Sequence, residues 1–182
     1  MKNKKQLRSW ETPTNRSHYK PMESRTERKI GFAPVFDKNS KVLILGSFPS
    51  VKSRQIDFHY GNKQNRFWKM LCRYFGEEIP QTIEGKKAFL YRRNIALWDM
   101  VTACEIVGSS DASIKNAEVA DLDEVFKNAK IQKILLNGTL AYTLFMERYK
   151  DVPISYEKMP STSPANPRFN ETVWRKALDD VF

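Results

Sequence analysis

Cysteine is scarce in this chain, with Cys72 and Cys104 the only two thiols in 182 residues. Two thiols cannot build a disulfide framework, a four-cysteine zinc site or a four-cysteine iron–sulfur cluster. Histidine is as rare, with His18 and His59 alone, so a structural zinc site is not expected. No run approaches the ~18 unbroken apolar residues of a membrane-spanning helix. The opening MKNKKQLRSWETPT is basic but lacks the apolar stretch of a secretory signal. These absences lead us to expect no membrane association and a reducing, cytoplasmic compartment. The patterns GxxxxGK[ST], GxGxxG and HExxH are missing too, which removes the P-loop, dinucleotide-fold and zinc-protease readings.

Negative charge is also in short supply. The chain has 31 Lys+Arg against 21 Asp+Glu, a formal charge of +10 with a pI near 9.6. A surplus of this size favours a polyanionic partner, and nucleic acid before others. Residues 1–29 carry nine basic and three acidic residues, a net +6, with almost no apolar periodicity. That stretch is expected to be a flexible basic arm able to hold phosphates. Residues 30–182, in a chain that is 41% hydrophobic, are expected to form a single domain.

Within that domain strands and helices alternate. KVLIL (41–45), NIALWDM (94–100), KILLN (133–137) and VPISYEKM (152–159) read as strands. NRFWKMLCRYF (65–75) places Phe67, Trp68, Leu71, Cys72 and Phe75 on one helical face. Further helices are read at 84–93, at 121–129 with Asp121 as cap, at 139–149 and from 171 to the end, while 101–120 reads as irregular. This order predicts an α/β fold with a parallel sheet of four strands and helices on both faces. Ligands of such sheets bind beyond the carboxyl ends of the strands. That directs attention to 46–68, 98–111, 137–138 and 160–167.

Those segments are chemically biased. GSFPSVKSRQIDFHYGNKQNRFW (46–68) combines small residues, the aromatics Phe58, His59 and Tyr60, and the amides Asn62 and Asn65. MPSTSPAN (159–166) sets three hydroxyls between prolines, a stiff turn suited to phosphate. Aromatic stacking, amides and a hydroxyl-rich turn on a basic protein fit recognition of an extruded nucleotide.

At VLILGSFPSVKSR, YGNKQNRFW, IALWDM with CEIVGSSDASIKN, ILLNG and PSTSPAN, the chain resembles the uracil-DNA glycosylase superfamily, and within it the hypoxanthine-DNA glycosylase branch. The resemblance spans roughly residues 30–182. It implies a three-layer α/β/α sandwich, in agreement with the strand reading. It implies a monofunctional enzyme that flips a deaminated base, preferably hypoxanthine, out of double- or single-stranded DNA. The N-glycosidic bond is then hydrolysed and an abasic site left. A monomer is expected. Uracil opposite guanine is the alternative substrate, and a non-catalytic nucleic-acid-binding module the alternative class.

The resemblance also suggests roles. Mismatch-specific relatives carry GINPG where this chain has GSFPS, so Phe48 stands in place of their water-positioning Asn. The hypoxanthine branch uses an Asn further along, carried over here to Asn62, with Asn65 as the competing choice and helix capping as its plainer explanation. Tyr60 matches the aromatic that stacks on the flipped base. Asp99 matches a base-recognising polar position, where a carboxylate would accept a ring N–H of hypoxanthine. Ser47 and Phe48 complete the expected base contacts. Ser161, Thr162, Ser163 and Asn166 are expected at the DNA backbone, and Asn137 is a possible pocket residue. Trp68 and Trp98 are expected in the core. No lysine occupies a motif position suited to Schiff-base chemistry, and the chemistry that the resemblance implies requires no metal and no cofactor.

Overall fold

A computed structural model describes residues 27–182. All of the expected arm but its last three residues lies outside the described residues. Arg28–Ile30 form strand β1, so the boundary placed at residue 29 falls within a strand.

The central sheet is made by β2 (Val42–Gly46), β3 (Ile95–Asp99), β6 (Lys133–Asn137) and β7 (Ser155–Met159). Its order is β3-β2-β6-β7, and every pairing is parallel. The strand runs are aliphatic because both faces are covered. Side chains of β2 alternate between two cores. Val42 and Ile44 point to one, with Phe67, Trp68, Phe89 and Trp174. Leu43 and Leu45 point to the other, with Val125, Ala141 and Phe145. The first core is supplied by α2 (Phe67–Tyr74), α3 (Ile83–Arg92) and α6 (Glu171–Asp179). The second is supplied by α4 (Asp123–Asn128) and α5 (Thr139–Tyr149). This is the expected α/β/α sandwich. Trp68 and Trp98 are both core residues, with indole N–H groups donating to the carbonyls of His59 (3.1 Å) and Phe32 (2.8 Å).

Two segments differ from the sequence reading. The stretch 101–120 is not irregular throughout: β4 (Val101–Glu105) and β5 (Lys115–Val119) join β1 in a second, antiparallel sheet, order β1-β4-β5. β5 is almost wholly exposed, so it carries no apolar period to betray it. The long loop after β2 also contains a short helix, α1 (Val51–Ile56), whose first turn is capped by Ser50 Oγ accepting from Ser53 N–H.

No helix among the described residues is long and apolar enough to cross a membrane.

Candidate functional site

The parallel register aligns the ends of the strands. Gly46 pairs with Asp99, and Asn137 with Met159. A cleft of about 1130 Å³ opens just beyond them. Its walls include Ser47, Phe48, Tyr60, Asn62, Asn65, Asp99, Asn137, Ser161, Ser163 and Asn166, so residues expected from four separate segments meet at one place.

At the floor Gly46 makes room. A Cβ there would collide with Asp99 Oδ1 and stand 2.9 Å from Tyr60 Oη. Asp99, only 5% exposed, lies beside the buried His59, whose Nδ1 is 3.1 Å from Asp99 Oδ2. That approach lies off the line of a hydrogen bond, and Oδ2 takes none among the described residues.

Tyr60 adopts a left-handed backbone, φ 53°, and stacks one ring face on Phe67 at 4.0 Å. Burial first, then the negative charge of Asp99, pushes its phenol pKa far up, so the hydroxyl keeps its proton near neutrality. Asn137 Nδ2 donates to Tyr60 Oη (3.0 Å) and to Thr162 Oγ1 (2.9 Å), while Thr162 N–H donates to Asn137 Oδ1 (3.0 Å). One buried amide thus ties the aromatic loop to the closing loop.

The two amides of the first loop separate. Asn62 Oδ1 accepts from Gln64 N–H at 3.1 Å, an Asx turn, and its Nδ2 has no partner among the described residues. Asn65 Oδ1 accepts from Phe67 N–H at 2.9 Å, so it caps α2.

Several expected contacts are engaged elsewhere. Thr162 is fully buried and has no surface to offer DNA: it is a strut for Asn137. Phe48 borders the cleft, but its ring is buried against Val101, Cys104 and Ile106. Ser161 Oγ and Ser163 Oγ accept from Ser163 N–H (3.2 Å) and Ala165 N–H (3.3 Å), leaving their hydroxyl protons to donate. Asn166 closes the same turn, donating from Nδ2 to Ser161 O (2.8 Å) and accepting from Arg168 N–H (3.0 Å).

The sequence reading missed two residues of the site. Asp111 sits at the cleft mouth, where Ser47 Oγ reaches both carboxylate oxygens at 2.9 Å. Burial raises its pKa; the Ser47 hydrogen bond offsets part of this, and the Asp99 charge adds to it. Its position within a run of turn formers hid it. Arg66 fastens the closing loop to α2. Its guanidinium donates to the carbonyls of Ser163 and Asn166 and lies over the Phe169 ring at 4.6 Å, and its own N–H donates to Thr162 O at 3.1 Å. The basic residue just before an apolar helical face was the available signal.

The chain belongs to the uracil DNA glycosylase superfamily, whose family model matches residues 33–181. Within it, the chain is similar to a protein of Methanosarcina acetivorans named hypoxanthine DNA glycosylase. The two are 33% identical over 151 residues, covering 80% of this chain and 95% of that one. A protein of the same name from Methanosarcina barkeri is 35% identical over 115 residues, 61% of this chain and 72% of the relative. Among solved structures, an NMR structure from Methanosarcina acetivorans, described as a candidate uracil DNA glycosylase, superposes with a TM-score of 0.75. It is 31% identical and covers 85% of this chain and 98% of its own.

Proposed function

We propose that this protein is a monofunctional DNA glycosylase that extrudes a deaminated base, hypoxanthine first, and hydrolyses its N-glycosidic bond. The observation that carries this reading is the meeting of Tyr60, Asn62, Asp99 and the 160–167 loop around one cleft at the carboxyl ends of the parallel strands. The matches to proteins named hypoxanthine DNA glycosylase support it.

Bond breaking passes through an oxocarbenium-like sugar, so the site must hold a water at the anomeric carbon and receive the departing base. Asn62, with Oδ1 in its Asx turn and Nδ2 unengaged among the described residues, orients the water. Asp99 accepts the ring N–H of the base. Tyr60, braced from behind by Phe67, packs against the extruded ring. Ser161 and Ser163 donate their hydroxyl protons to phosphates beside the lesion, and the surrounding prolines hold that turn before DNA arrives. A single chain supplies all of these groups, so a monomer suffices. Two buried free thiols, Cys72 and Cys104, agree with a reducing, cytoplasmic setting.

The test is alkaline strand cleavage of labelled duplexes carrying inosine, uracil, xanthine or only normal bases. Cleavage at inosine above the others is expected. Preference for uracil would move the substrate to the other branch of the superfamily. Absence of cleavage on every duplex would leave a binding module and overturn the proposal.

A further inference from the structure

One atom at the cleft floor has no role in the mechanism above. Asp99 Oδ2 is buried and without a hydrogen-bond partner among the described residues, a condition that costs stability unless something uses it. Behind it stands His59, only 2% exposed, with Nδ1 at 3.1 Å from that oxygen. The imidazole is held from several sides. The rings of Phe32 and Phe58 meet it edge-on, with centroids at 5.0 and 5.7 Å. Nε2 faces Ala33 O at 3.4 Å. The backbone of the same residue is fixed by the Trp68 indole, which donates to His59 O at 3.1 Å. A ring this enclosed cannot swing away from Asp99. A carboxylate oxygen only accepts, so the approach is attractive only when Nδ1 carries a proton.

We propose that His59 is a positioning residue. Its Nδ1–H dipole, close to Oδ2 though off the hydrogen-bond line, holds Asp99 in place by electrostatic attraction, so that the carboxylate faces the cleft as an acceptor. The site thereby selects a base whose ring nitrogen bears a proton over a purine whose corresponding nitrogen does not. Hypoxanthine has that N–H and adenine lacks it, so this contact separates the lesion from its parent base. The inference rests on the glycosylase reading and adds the residue that sets its selectivity. Without His59, Asp99 is free to turn, and a carboxylate turned out of line no longer meets the ring N–H that sets hypoxanthine apart.

Two measurements on the full chain test this. The first is the ¹⁵N spectrum of the imidazoles, assigned with His59→Asn, since His18 is the only other histidine. A proton on Nδ1 of His59 is expected, and a bare Nδ1 overturns the proposal. The second is single-turnover base release from duplexes carrying deoxyinosine or deoxynebularine, a purine without the ring N–H. His59→Phe should slow hypoxanthine release by about ten- to a hundredfold, as expected when a buried polar contact is removed. Nebularine release should change by less than about threefold. His59→Asn places an amide N–H where Nδ1–H stands and should recover most of the hypoxanthine rate. Equal losses on both substrates, or an unchanged preference in His59→Phe, overturn the proposal. Wild-type protein that releases no base overturns the glycosylase reading and this selection with it, while the imidazole spectrum distinguishes that case from failure of the pair.

Discussion

Gly46 and Asp99, partners across adjacent parallel strands, stand so close that the glycine's missing side chain is what gives the carboxylate its place. Gly46→Ala should therefore force Asp99 and Tyr60 apart. Overpacking of this kind costs about 1–3 kcal/mol. Base release should fall further than stability does, because the displaced groups are those expected to meet the base. Thermal unfolding and single-turnover release, measured on the same sample, give the comparison. Unaltered release would show that Asp99 can move without consequence.

Asn137→Ala should be among the more damaging single changes in the cleft. It removes the amide that bonds Tyr60 Oη and both the hydroxyl and the N–H of Thr162. Leaving those buried groups unpaired costs about 2–3 kcal/mol, or roughly 5–10 °C in Tm for a domain of this size. Calorimetry on the variant checks it.

Asn62 and Asn65 should respond in opposite ways. Asn62→Ala is expected to slow base release by ~10²-fold, with DNA affinity and Tm nearly unchanged, since a water-orienting amide acts in the transition state. Asn65→Ala removes the acceptor of Phe67 N–H and should cost about 0.5–2 kcal/mol of stability, with chemistry largely kept in the folded fraction. The reverse pattern would exchange their roles.

Asp111 gives a pH-dependent outcome. Burial raises its folded-state pKa, despite the Ser47 hydrogen bond. A carboxyl whose pKa is higher folded than unfolded binds its proton more tightly in the folded state, so its ionised form destabilises the fold. Asp111→Asn should then melt slightly higher than wild type at neutral pH. The gap should close as the pH falls through the raised value. A gap that widens towards acid would reverse the assignment.

Removing residues 2–26 stops short of β1 and deletes seven basic and two acidic residues. DNA affinity should weaken, and the slope of log affinity against log salt should shallow by ~0.9 for each phosphate that the shortened chain no longer neutralises. Single-turnover release at saturating protein should persist. Equal slopes would mean that the segment does not touch DNA.

What was legible in the sequence follows from what each element buries. The four central strands could be read because both their faces are apolar. KILLN coincides with β6, while the other three differ only at their ends. The antiparallel sheet was hidden because β5 (KNAEV) exposes nearly every side chain and β1 looks like the end of a charged tail. Tyr60, Asn62 and Asp99, which line the cleft, could be expected there from their place in the segments at and after the strand ends and from their family pattern. Arg66, Asp111 and the burial of Thr162 depend on contacts between residues 25 to 100 positions apart, which no local periodicity records.

Arg66 carries a consequence for how the protein meets its substrate. Through it, the 160–167 turn is joined to the start of α2, next to the loop that bears Tyr60 and Asn62. The turn proposed to hold phosphates and the loop proposed to place the water are thereby tied together by hydrogen bonds. On that proposal, encounter with DNA would require no assembly of the cleft, and the flexibility needed to bring sugar and water together would fall to the nucleic acid. Sequence contexts in which the duplex opens easily should then be the ones with the fastest base release.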